Sequence, residues 1–186
     1  MGSYVVAPIR YFFIILAQER VKCKVKNQSK ILSLDTASVR TGWALYIDGK
    51  YDKSGIINLS NIKDVNVRIK EMVINIQKLI NTYKPDHVVV EDIVVERNWH
   101  TFKVLATIIG GVYGVCISRE IMYSCLSPSG WRNIVDSGKK PRKKDELKKW
   151  DIEKAKLIVN KNFGDDEADA ILIGKAYCKI LNEKEK

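Results

Sequence analysis

The spacing of apolar and polar positions changes several times along this chain, and each change marks an element. Ile31–Asp35 is an unbroken apolar run ending in a carboxylate, the pattern of a central strand. Thr41–Ile47, with Trp43, Tyr46 and Ile47, is rich in strand formers. Asp48-Gly49 is a tight-turn signal, and Tyr51–Leu59 returns as a third strand. From Asp64 to Tyr83 the spacing becomes helical, with Ile69, Met72, Val73, Ile76, Leu79, Ile80 and Tyr83 on one face. Pro85 stops that helix, and Val88–Val90 reads as a buried strand. Thr101–Glu120 predicts a second helix, in which Gly110, Gly111 and Gly114 permit close packing and are candidates for a dimer surface. Ile121–Leu126 is a fifth strand, and Ser127–Pro141, rich in Ser, Gly, Pro and Lys, reads as a loop. Lys143–Asn162 and Asp166–Leu181 complete the chain as helices.

Three meandering strands, then helix, strand, helix, strand and closing helices describe one mixed α/β domain without internal repeats. It begins near residue 30. The preceding residues 1–29 form an extension whose apolar run, Tyr11–Ala17, is too short to span a bilayer. Arg10 before that run resembles a signal-peptide start, but no A-x-A-like cleavage site follows. An extra strand, a partly ordered extension or a misassigned start are the plainer readings.

Composition narrows the partners. The 186 residues have room for one good core, and 46% hydrophobic with 29% charged residues is ordinary for a soluble domain. The net charge of +10 favours a polyanion, either nucleic acid or an acidic membrane surface. Half of that excess lies in residues 1–30, which carry +5. The four cysteines, Cys23, Cys116, Cys125 and Cys178, form no C-x-x-C pair, and only His87 and His100 could join them, so a zinc site is not expected. They read as small apolar side chains in a reducing compartment.

Against this basic background the acids stand out. Asp35 and Glu91 each end an apolar strand, where a carboxylate is costly to place without partners. If those strands are parallel neighbours, both acids lie at the carboxyl end of the sheet, where α/β proteins hold ligands. Asp166 and Asp169 are three residues apart on the closing helix and share one face. Four converging carboxylates make a site for hard divalent cations, and two Mg²⁺ ions there would suit in-line hydrolysis of a phosphodiester. The alternatives are that Asp165 and Asp166 cap their helix, and that Asp35 and Glu91 face solvent at strand ends. Asp92 and Glu96 read as solvated neighbours.

A second constellation is basic. Lys139, Lys140, Arg142, Lys143, Lys144, Lys148 and Lys149 put seven cations among eleven residues, suited to a phosphate backbone and lacking anything that reads bases. The plain alternative is a solvated loop and helix face. Trp99, after the Glu91 strand, reads either as a core anchor or as a platform for an unpaired base.

Leu34-Asp35-Thr36-Ala37-Ser38, Thr41-Gly42-Trp43-Ala44, Val90-Glu91, Thr101-Phe102-Lys103-Val104-Leu105, Pro128-Ser129-Gly130-Trp131-Arg132 and Asp165-Asp166-Glu167-Ala168-Asp169-Ala170 occur in that order. Over about residues 30–182 the chain thereby resembles the RuvC-type Holliday-junction resolvases of the RNase H-like superfamily, most of all the small phage and prophage versions. The resemblance implies an RNase H-like mixed five-stranded sheet, three strands antiparallel and two parallel, flanked by helices. It also implies a homodimer that nicks two opposing strands of a four-way DNA junction with Mg²⁺ or Mn²⁺, in the cytoplasm of a bacterial host. By motif position Asp35, Glu91, Asp166 and Asp169 are the metal-binding catalytic acids, and Lys143 and Lys144 fall where the family places basic residues near DNA. Two features depart from the family pattern. Residues 1–29 have no counterpart, and Ile93 and Val94 stand where bacterial members carry a stacking aromatic shortly after the Glu91 position, leaving Trp99 as a distant substitute.

Three other functions fit part of this pattern. One is a different RNase H-like nuclease acting on RNA–DNA hybrids, flaps or branched replication intermediates. Another is an inactive DNA-binding or scaffolding domain, against which the retained acids argue, since unpaired carboxylates near DNA weaken binding. The third is an actin-like ATPase or sugar kinase, suggested by Asp35-Thr36-Ala37-Ser38 before Thr41-Gly42, but such enzymes need two such domains and this chain has room for one.

Overall fold

The computed structural model describes residues 29–94 and 98–184. The amino-terminal extension up to residue 28, with Tyr11–Ala17 and Cys23, lies outside the described residues, as does Glu96.

Five strands form one sheet: β1 (Lys30–Asp35), β2 (Arg40–Ile47), β3 (Lys50–Asn58), β4 (His87–Glu91) and β5 (Met122–Leu126), in the order β3-β2-β1-β4-β5. β1 pairs antiparallel with β2 and parallel with β4, β2 pairs antiparallel with β3, and β4 pairs parallel with β5. The three-plus-two arrangement expected from the resemblance is therefore present, with β1 at its centre. Asp48 and Gly49 turn the β2–β3 hairpin with φ of 51° and 74°, the left-handed pair that a two-residue turn of this kind requires.

The alternation of β1 explains the two-faced core. Leu32 and Leu34 pack with Val88 and Val90 against α1 (Val65–Tyr83) and α2 (Trp99–Ser118). Ile31 and Val89 face the other way, towards α3 (Pro128–Val135), α4 (Lys144–Lys156) and α5 (Asp165–Lys184). α1 starts where expected, capped by the Asp64 side chain, which accepts from the Val67 amide at 2.8 Å. α5 lies tightly on the sheet because its inner face is small. A Cβ on Gly174 would stand 2.4 Å from the Tyr46 ring. On the sheet side, a Cβ on Gly42 would stand 1.8 Å from the Asp166 carbonyl oxygen, so only glycine lets the start of α5 settle on β2. Ser33 Oγ and Tyr46 OH donate to the carbonyls of Ala170 and Ile171 at 2.7 Å each, fixing the register of α5 on the strands.

Three expectations need correction. Ser127–Pro141 is not a loop throughout, because Pro128–Val135 forms α3. Ser127 is its N-cap, accepting from the Gly130 amide at 3.2 Å, and Pro128 begins its first turn, where a missing N–H costs nothing. The helix expected over 143–162 ends at Lys156. Of the three α2 glycines, Gly111 packs inward, where a Cβ would meet Val73 at 2.8 Å, and only Gly110 and Gly114 face open space. α2 is the described helix whose length and hydropathy alone would suit a bilayer, yet Val104, Ile108, Ile109, Val112 and Cys116 are buried against the sheet. Cys116 and Cys178 are buried free thiols and Cys125 is an exposed one, consistent with small apolar roles for the first two.

Candidate active site

The parallel register Leu34↔Val90 brings Asp35 and Glu91 side by side at the carboxyl ends of β1 and β4. After Asp35 the chain turns through Thr36–Val39, held by Thr41, whose Oγ1 donates to the Ala37 carbonyl at 2.9 Å and accepts from the Ala37 amide at 3.1 Å. α5 begins over this corner and delivers Asp165, Asp166 and Asp169. Asp35, Glu91, Asp166 and Asp169 are therefore brought together, as the spacing of the acids in the sequence implied.

Their protonation reflects that crowding. Burial, followed by the charges of Glu91 and Asp166, raises the Asp35 carboxyl well above its ordinary range, and a carboxyl–carboxyl hydrogen bond with Glu91 favours the proton on Asp35. Burial also raises Glu91, opposed by the hydrogen bond from Trp131 and the charge of Arg132. Asp169 is pushed up to about 9, mainly by burial and then by the charge of Asp35. Asp166 is raised by burial and by Asp165, while Arg40 and Lys148 pull the other way. Asp165 differs: its hydrogen bond from Lys148 lowers it.

Three of the four acids lean on a donor from the protein. Arg40 Nε lies 3.0 Å from Asp166 Oδ2. Trp131 Nε1 donates to Glu91 Oε1 at 2.8 Å. Arg132 Nη2 reaches Asp169 Oδ2 at 3.5 Å, but its closer bonds, at 2.8–3.1 Å, go to Asp151 of α4. Asp169 Oδ1 is left buried with no hydrogen-bond partner. Among the described residues no three Asp, Glu, His or Cys side chains close into a ready-made cage. A buried carboxylate oxygen without a donor, beside a carboxyl pair sharing a proton, is nevertheless the electrostatic deficit that a hard cation satisfies with oxygen ligands. The donor set therefore fits Mg²⁺ or Mn²⁺.

The basic residues are partly at this site. Lys148 donates to Asp165, which puts the first half of α4 beside the start of α5. Lys143 is the N-cap of α4 and pairs with Glu146 at 3.4 Å. Lys139, Arg142, Lys143 and Lys144 are exposed, whereas Lys140 is folded back onto Asn133 Oδ1 at 2.7 Å and the Gly138 carbonyl. Trp99 is no core anchor: it is 60% exposed at the start of α2, stacked on Phe102 with ring centroids 5.1 Å apart. Between Glu91 and that corner lies a cleft of about 250 Å³, lined by Thr36, Glu91, Asn98, Phe102, Leu105 and Pro128. Asp92 and His100 are exposed, and His87 is buried at the opposite end of β4 against Tyr177.

Sequence reasoning missed Arg40, Trp131, Arg132 and Asp151. Trp131 and Arg132 lay in a segment read as loop, and Asp151 in a run dominated by lysines. The signals that could have found them were the Ser127-Pro128 helix start and the Pro128–Arg132 motif, which carried the resemblance without a role for either side chain.

The sequence matches the family model "Crossover junction endodeoxyribonuclease RuvC" over residues 31–174. Curated relatives of that name include those of Orientia tsutsugamushi strain Ikeda, 27% identical over 84% of this chain and 98% of the relative, and Wigglesworthia glossinidia brevipalpis, 26% identical over 85% and 98%. Among solved structures, RuvC from Thermus thermophilus in complex with a Holliday junction substrate superposes with a TM-score of 0.66, at 11% identity over 83% of this chain and 96% of the other. The yeast mitochondrial Holliday junction resolvase Ydc2 gives 0.57, at 13% identity over 84% and 80%. The chain belongs to the RuvC family of crossover junction endodeoxyribonucleases, nucleases that resolve Holliday junctions.

Proposed function

We propose that this chain is a homodimeric junction resolvase in the bacterial cytoplasm that cuts opposing strands of four-way DNA, with two divalent cations held by Asp35, Glu91, Asp166 and Asp169. The observation that carries this reading is the convergence of those acids at the ends of β1 and β4, with a buried carboxylate oxygen on Asp169 lacking any donor. Cations bound there would lower the pKa of the attacking water and neutralise the charge that builds on the scissile phosphate and leaving oxygen. The chain's own residues do the remaining work. Asp35, between β1 and the Thr36–Val39 turn, is central to the cluster and faces both Glu91 and the start of α5. Arg40 and Lys148, bonded to Asp166 and Asp165, stand at the rim where a DNA phosphate would approach. Exposed Lys139, Arg142, Lys143 and Lys144 extend that positive rim along the backbone of an arm, with Lys140 behind them. Trp99, exposed but stacked on Phe102 with Lys103 Nζ 5.6 Å from its ring centroid, would meet an unpaired base near the junction centre.

The outer face of α2 supports the dimer. Gly110, Gly114 and Ile117, one turn or nearly so apart, form an outward apolar strip, with Ile117 61% exposed. A self-complementary contact there would give two sites related by a two-fold axis, as paired nicks demand.

The test is cleavage of a synthetic four-way junction beside matched duplex, flap and RNA–DNA hybrid, with Mg²⁺ or EDTA, for wild type and Asp35→Asn. Symmetric Mg²⁺-dependent nicks, lost in the variant while junction binding persists, are expected. Preferred cleavage of hybrid or flap would keep the fold but change the substrate. Tight binding without cleavage by wild type would leave a binding module.

A further inference from the structure

Helix α3 brings two consecutive side chains up to the acids. Trp131 is fully buried, and its indole N–H donates to Glu91 Oε1 at 2.8 Å. Arg132 lies over the Trp131 ring, 4.0 Å from guanidinium carbon to ring centroid. Its fork grips buried Asp151 by three bonds: Nε to Oδ1 and Oδ2 at 3.0 and 3.1 Å, and Nη2 to Oδ2 at 2.8 Å. That grip fixes the guanidinium, which in turn covers one face of the indole. The ring therefore has little freedom to turn, and its N–H points at one oxygen of Glu91. Glu91 ends its strand beside an open cleft, with the Asp35 carboxyl as its other neighbour.

We propose that Trp131 is a positioning residue: its indole N–H fixes the Glu91 carboxylate in the orientation that takes up a divalent cation, braced from behind by the Arg132–Asp151 pair. This rests on the metal-binding reading of the four acids. The hydrogen bond occupies Oε1 and leaves Oε2 and the Asp35 side for the cation, and it replaces a search among rotamers by one prepared geometry. Donors that orient a metal-ligating carboxylate in this way are worth about 10- to 100-fold in metal affinity. Glu91's other hydrogen-bond partner is the Asp35 carboxyl, itself one of the four acids that would take the cation, so the indole N–H is the donor left to Glu91 once a cation is bound.

The test uses Trp131→Phe, which keeps an aromatic ring and removes the donor, and Mn²⁺ binding to the full-length protein followed by electron paramagnetic resonance. Unfolding temperature without metal is the control for folding. A benzothienylalanine at position 131, with sulfur in place of the N–H and the bicyclic shape retained, replaces the Phe variant if that one unfolds. Wild type and Asp35→Asn are measured alongside, so that wild-type Mn²⁺ binding insensitive to Asp35→Asn would overturn the metal reading itself. With that reading intact, the expected result is a 10- to 100-fold weaker Mn²⁺ affinity in the donor-less protein, and no further loss when the same change is made in Glu91→Gln. Wild-type affinity in a folded donor-less protein would overturn the positioning role. So would an equal additional loss in the Glu91→Gln background, which would show that Trp131 acts on the site through bulk and not through Glu91.

Discussion

Asp169→Asn should stabilise the metal-free protein while destroying the site. Asp169 lies half-buried next to Asp35 and Glu91, shares Arg132 with Asp151, and has one buried oxygen without a donor. Its pKa rises on folding from the ordinary 3.8 to about 9. The folded chain therefore binds a proton that the unfolded chain releases above pH 4, and stability falls as pH rises from about 4 towards 9. Were the whole shift charged to Asp169, the cost at pH 7 would be about 4 kcal/mol, at about 1.4 kcal/mol per unit. Titration is shared with Asp35 and Glu91, so one substitution should release about 1–3 kcal/mol of it. Asparagine keeps the shape and removes the charge, and Arg132 keeps its closer bonds to Asp151. For a chain of this size the unfolding temperature should rise by about 3–9 °C at pH 7 in EDTA, with little gain at pH 4.5. Thermal unfolding across pH 4.5–9 reads this directly, and saturating Mg²⁺ should shrink or reverse the difference by stabilising wild type alone. Asp169→Asn destabilising at every pH would refute the reasoning and make Asp169 a structural partner of Arg132.

Two further outcomes are expected. Lys143→Ala with Lys144→Ala should weaken junction binding and flatten the dependence of log affinity on log salt by about 1.8, at about 0.9 per phosphate contact; an unchanged slope places these exposed residues off the DNA. Ile117→Asp, on the outward strip of α2, should yield a folded monomer in sedimentation analysis that no longer makes paired nicks, whereas an intact dimer moves the interface elsewhere.

Most of the fold was legible because its signals are local. The apolar run ending at Asp35, the Asp48-Gly49 turn and the heptad-like spacing from Ile69 to Tyr83 each report on neighbours within a few residues, and all three elements formed as read. Asp35 and Glu91 stood out as candidates for the same reason, since a carboxylate at the end of a buried strand is conspicuous wherever it later points, and Asp166 and Asp169 stood out by their spacing of three at the start of an apolar helix. α3 was misread because Ser127, Pro128 and Gly130 are loop formers in one context and a helix start in another, and Trp131 tips the balance only by burying itself under α5. Asp151 looked like one more charge on a solvated face. Its burial depends on Arg132, which lies 19 residues away in the chain and meets it only in the folded domain. The donors that hold the acids are tertiary facts, and no period or spacing announces them.

The most direct test of the central claim is a crystal structure grown with Mn²⁺ and measured for anomalous scattering. The account predicts manganese among Asp35, Glu91, Asp166 and Asp169, with Asp169 Oδ1 taken up as a ligand and Arg132 still gripping Asp151. Manganese bound elsewhere, or none at these acids at millimolar concentration, would contradict it.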